Sequence, residues 1–137
     1  MDGAAYARAL DRLTVALLGR DPAALTAGER SYVDVLLLLL EARTTAADLL
    51  ARMEVARERM SGMGGGVERR VGDAAGAGHA VLALLDARIS GHAAASAALA
   101  ALPLDVDART AARLVADVRA VWRASAPARV GPDPRLN

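Results

Sequence analysis

Apolar residues recur at helical intervals along most of the chain. Tyr6, Leu10, Leu13 and Leu17 fall at i, i+4, i+7 and i+11, the stripe of one helix face. They predict a helix over Gly3–Leu18, stopped by Gly19. Asp21-Pro22 then opens a short turn, with Asp as cap and Pro at the first helical position. Thr26-Ala27-Gly28-Glu29 fits a capping box, in which hydroxyl and carboxylate satisfy each other's free backbone amides. The helix it starts meets no breaker before Gly62. Leu36 to Leu40 make that helix apolar on every side, which predicts full burial there. Between Ala51 and Arg59 about half the residues are charged, and the stripe narrows to Leu50, Met53 and Met60.

Gly62, Gly64, Gly65 and Gly66 divide the middle of the sequence into helical stretches of similar length, Ala27–Ser61 and Val67–Leu102. This pattern predicts a long antiparallel hairpin with Met53, Met60 and Met63 near its tip. Gly72, Gly76 and Gly78 each cost a helix about 1 kcal/mol relative to alanine. Gly72–Gly78 is therefore either a loose segment or a place where two helices approach closely. His79–Ile89 is firmly helical in pattern, and Ser90-Gly91 either ends the helix or bends it before Ala93. After Pro103, Asp105 or Asp107 caps a last helix over Ala108–Ala124. Its apolar face is Ala111, Leu114, Val115, Val118, Val121 and Trp122. Ser125–Asn137 carries three prolines and no apolar period, which predicts a disordered tail.

Length adds a spatial constraint. A continuous Ala27–Ser61 helix would be a rod of about 52 Å at 1.5 Å per residue. A compact domain of 137 residues is only about 37 Å across. The molecule is thus elongated, or kinked at Thr44-Thr45, or covered by a partner. Short connections make the first and last helices neighbours of the hairpin's open end. The expected fold is all-α: an elongated four-helix bundle built on the long antiparallel hairpin, with Thr45 to Ala83 projecting as an arm. Residues 1–124 form one helical domain and 125–137 the tail.

Composition changes this picture little. Alanine is about a quarter of the chain, phenylalanine is absent, and 17 arginines against 16 carboxylates leave a net charge of +1. Arginines alternate with acids, as at Glu54, Arg57, Glu58 and Arg59, so nucleic acid is not an expected partner. With no cysteine, disulfides and thiolate chemistry are excluded. The N-terminus lacks a basic and then apolar leader pattern. The longest uncharged stretch, Ile89–Leu104, is about 16 residues, short of the roughly 20 that span a bilayer. A cytoplasmic protein without membrane contact is expected.

Candidate chemistry is sparse. No glutamate has a histidine three residues on, as a di-iron bundle would need. His79 is followed by Ala80-Val81-Leu82-Ala83, without the cation of a phosphotransfer histidine. Arg88 and His92 are separated by three residues, where the helical ribonucleases with an Arg…His signature have four to six. Met63-Gly64-Gly65-Gly66 lacks the Gly-Lys-Ser/Thr end of a phosphate loop and reads as a turn. Catalytic, cofactor and metal sites are not expected. The methionines either fill the hairpin seam or form an adaptable partner surface. Arg52, Arg57, Arg59, Arg69 and Arg70 bracket the turn and support an alternative, a nucleic-acid-associated regulator, but Glu54, Glu58, Glu68 and Asp73 nearly cancel them.

Leu17–Leu25 with its Gly19-Arg20-Asp21 connector, Glu29-Arg30, the leucines 36–40 and Glu41-Ala42-Arg43 resemble the opening of the small helical flagellar and type III export chaperones. The resemblance covers the N-terminal third. It implies a cytoplasmic chaperone that keeps an aggregation-prone export substrate soluble. The chain departs from the flagellar hook-protein chaperones in lacking their asparagine-containing C-terminal pattern and in adding the helix with Trp122. The functional expectation is a non-enzymatic helical protein–protein interaction module, chaperone-like or an adaptor or assembly subunit. It would bind a protein partner or a second copy, as a homo-oligomer, through Leu50, Met53, Met60 and Met63.

Overall fold

A computed structural model describes residues 1–62 and 65–125. Met63 and the proposed tail from residue 126 onward lie outside the described residues. Among the described residues five α-helices form: α1 Gly3–Leu18, α2 Ala27–Met60, α3 Gly66–Ser90, α4 Ala93–Ala101 and α5 Ala108–Ala124, with a 3₁₀ turn at Pro22–Ala24. No strand occurs among the described residues.

Local chemistry sets the boundaries. Asp2 caps α1 by accepting from the Ala5 amide at 2.7 Å, and Asp107 caps α5 through Thr110 at 2.7 Å. The expected capping box starts α2: Glu29 N–H donates to Thr26 Oγ1 at 3.2 Å, and Thr26 N–H to Glu29 Oε1 at 3.0 Å. The Thr26 amide and then its hydroxyl hold the Glu29 carboxyl below the usual range, and the Thr110 side chain and then its amide do the same for Asp107. α2 continues unbroken through Thr44, whose buried hydroxyl donates to Leu40 O at 2.9 Å. Its 34 residues make a rod of about 51 Å. Gly65, at φ 80°, precedes α3, a backbone conformation that a side chain would strain.

Two expectations are refined. Gly72–Gly78 is helical, within α3. Ser90-Gly91 ends that helix, and Ala93–Ala101 is separate, so five helices form where four were expected. Gly91 N–H donates to Arg88 O at 3.2 Å, a three-residue step that closes the helix.

The main core joins α1, the first half of α2, the end of α3, α4 and α5. Leu13, Leu36, Leu40, Ile89, Leu114, Val115, Val118 and Trp122 are among its buried residues. No α2 residue beyond Leu40 and no α3 residue before Ile89 belongs to it. Burial of all five leucines is corrected: Leu36, Leu37 and Leu40 are buried, but Leu38 is 58% exposed. A helix packed on its neighbours along one side cannot cover a full turn of five consecutive positions.

Polar ties bind α5 to its neighbours. Trp122 Nε1 donates to Asp34 at 2.6 Å, and Arg30 lies 4.0 Å over its ring. Arg119 Nη1 donates to both carboxylate oxygens of Glu41, at 2.7 and 2.6 Å. Tyr6 of α1 donates its hydroxyl to Asp117 of α5, with Arg113 stacked 5.0 Å from the ring. Burial first, then the Asp117 carboxylate, push the Tyr6 phenol up to about 12, against an opposing pull from Arg113. Because the folded value lies above the ordinary 10.0, this contribution to stability is complete below pH 10 and is lost as pH rises toward 12. Denaturant midpoints across that window should fall more steeply for the native chain than for Tyr6→Phe. Parallel slopes would remove Tyr6 as the cause.

Candidate interaction surface

The alignment of α2 with α3 decides what the hairpin exposes. Arg43 Nε meets Asp86 at 2.9 Å, and His79 Nε2 lies 3.4 Å from Glu54. A Cβ on Gly78 would come within 3.2 Å of Leu50 Cδ1, and one on Gly72 within 3.8 Å of Arg57. The helices are therefore antiparallel, and Gly78 is glycine where the Leu50 side chain crosses the gap. Arg43, Leu50 and Arg57, seven apart, face α3; Ala75, Leu82 and Ile89, also seven apart, face α2. A seven-residue repeat on both members is the pattern of a left-handed supercoiled pair.

In two antiparallel right-handed helices, the residues one before the facing positions lie on the same side of the pair. The residues one after them lie on the other side. On α2 the latter side carries Leu37 and Thr44, both buried against the main core. At the base of the hairpin the core thus covers one side; beyond Leu40 on α2 and before Ile89 on α3 it covers neither. The former side carries Val35, Ala42 and Leu49, all exposed, and half-buried Ala56. Closer to the seam on that side lie Leu39, Ala46, Met53 and Met60, each half-buried. From α3 the same side receives half-buried Val71, Gly78 and Leu85, then exposed Val67, Ala74 and Val81. This open side is uninterruptedly apolar from Val35 to Met60 on one helix and from Val67 to Leu85 on the other.

The charged residues segregate about this surface. By the same helical geometry, Asp34, Glu41, Asp48, Glu54, Glu58, Asp73 and Asp86 lie on the core side or the lateral edges, and Glu68 lies between the helices. Arg52 and Arg59 border the open side along α2, and Arg70 and Arg88 along α3; all four are exposed. Arg52 reaches back around the edge to Asp48 at 3.0 Å. Among the described residues, Arg59, Arg70 and Arg88 have no carboxylate within 4.0 Å.

Of the residues expected to meet a partner, Met53 and Met60 lie on the open side, half-buried. Leu50 is 7% exposed and packs inside the hairpin; Leu49, 49% exposed, occupies the outward position. Sequence spacing permitted either choice, because only the position of α3 distinguishes one residue from the next. Val81, 47% exposed, and Leu84 went unrecognised because α3 has no polar stripe to define its outer edge. The arginines about the turn do not form a uniform basic patch: Arg57 and Arg69 share one shallow depression with Glu68 and Asp73. His92 Nδ1 pairs with the Tyr32 hydroxyl at 2.6 Å. Among the described residues, no cluster of three or more histidines or carboxylates could hold a metal ion, and no helix is long and apolar enough to cross a membrane.

Comparison of the chain with family models, with curated proteins and with solved structures gave no match.

Proposed function

We propose that this chain is a non-enzymatic protein–protein interaction module, a cytoplasmic helper or adaptor of the export-chaperone kind. In this reading, an elongated bundle at the base anchors the α2/α3 hairpin, and the hairpin presents its open side to a protein partner. The observation that carries the reading is the apolar strip of Val35, Ala42, Leu49, Met53, Ala56 and Met60 beside Val67, Ala74 and Val81, which the core, on the other side of the hairpin's base, does not cover. Large uncovered apolar surfaces with polar borders are characteristic of interaction sites. Methionine at Met53 and Met60 suits a surface that adapts to more than one apolar shape.

The size is adequate. Val35 to Met60 spans about 39 Å, and two adjacent helices about 9 Å apart present a face roughly 18 Å wide. That is roughly 700 Å² on this side, close to the ~800 Å² per partner of a standard stable interface. The test is recovery of bound protein from the native host with a tagged chain and with its Leu49→Asp/Val81→Asp variant. A partner retained equally by both would remove the open side as the site.

A further inference from the structure

We infer that the occupant of the open side is an amphipathic helix of another protein, with an apolar stripe bordered by carboxylates. This rests on the open side being the interaction surface and specifies what it takes. Two independent features support it. The first is shape: Ala46, Met53 and Met60 from α2 and Val71, Gly78 and Leu85 from α3 lie at seven-residue steps along a shared seam. Gly78 has no side chain and Ala46 only a methyl, so the seam stays low there, floored by Leu50, whose Cδ1 occupies the space beside Gly78; the side chains of a third helix can pack along this shallow trough.

The second feature is charge. Apart from Glu68 near the turn, the hairpin's carboxylates lie away from the trough, whereas Arg59, Arg70 and Arg88 stand along its borders with no carboxylate within 4.0 Å among the described residues. Carboxylates flanking the apolar stripe of an incoming helix would meet these arginines, as flanking charges select partners in coiled coils. A second copy of this chain brings no such carboxylates, since its own matching face has arginine borders. A membrane surface would favour large or aromatic side chains that insert, and here the trough is lined by Ala, Gly, Val, Leu and Met.

The experiment titrates the intact protein with two synthetic three-heptad helices that share leucine at the inward positions. One carries glutamate at every flanking position and the other lysine. The glutamate helix should bind saturably and about tenfold or more tightly than the lysine helix, several exposed ion pairs each contributing a small factor. Arg59→Glu/Arg70→Glu should reverse the preference, with an unchanged melting temperature. Equal binding of both helices would overturn the acidic-partner inference while leaving the open side as an interaction surface. Binding of neither, with Leu49→Asp/Val81→Asp also inert towards host proteins, would overturn both. Two further results would replace the inferred occupant: a concentration-dependent dimer in sedimentation that Leu49→Asp dissolves, or binding to vesicles of anionic phospholipid that the glutamate helix does not displace.

Discussion

Replacing Leu49 and Val81 together by aspartate should abolish binding of the proposed partner and leave the fold intact. Both side chains are about half exposed, and neither belongs to the main core. In the free protein each aspartate therefore stays hydrated, and its cost is confined to helix propensity, about 0.5 kcal/mol per site. In the complex the balance is different. Fully burying a Leu or Val side chain contributes about 1.5–3 kcal/mol, so completing the burial of two half-exposed ones contributes a comparable amount in total. Each carboxylate in their place would lose its water without a counter-charge, a penalty of several kcal/mol. The combined loss is on the order of a thousandfold or more in affinity. Binding should vanish while circular dichroism and the melting temperature change little. Retained binding would mean that the partner sits elsewhere.

Trp122→Ala should produce the opposite pattern, a large loss of stability. Trp122 is 4% exposed and joins α5 to α2 by packing, by its hydrogen bond to Asp34 and by the Arg30 guanidinium above the ring. Truncating a buried tryptophan costs about 3–5 kcal/mol, a large share of a typical total of 5–15 kcal/mol. The melting temperature should fall by roughly 10–20 °C. Trp122→Phe keeps most of the apolar contact and loses only the N–H donor, so its cost should be nearer 1 kcal/mol. A Trp122→Ala melting temperature within a few degrees of the native one would show that α5 is not held to α2 in this way.

Much of this architecture was legible in the sequence where one local signal decides an outcome. Thr26 with Glu29, and Gly19 after Leu18, each mark a helix end through local backbone groups, whereas Asp105 and Asp107 both suited the start of α5 and the Thr110 amide contact identifies Asp107. Gly91 was ambiguous because a glycine late in a helix can bend it or end it, and the outcome depends on where α4 packs. Leu38 shows the limit of composition: five leucines in a row indicate an apolar helix but not which of them meets solvent. The open side was the least legible feature. Its seven-residue columns include alanines and a glycine, which carry little hydrophobic signal alone. Leu49 and Leu50 exchange roles with a rotation of about 100°, so the outward residue is identified only once Leu50 is seen against Gly78.

The central claim is that one side of the hairpin is uncovered along its length, and neighbouring residues on α2 test it most directly. The chain has no cysteine, so Leu49→Cys and Leu50→Cys each provide a single thiol whose alkylation rate can be measured in the native state. The thiol at position 49 should react nearly as fast as a free cysteine and the one at position 50 at least about tenfold more slowly. Equal rates, or faster reaction at position 50, would contradict that claim.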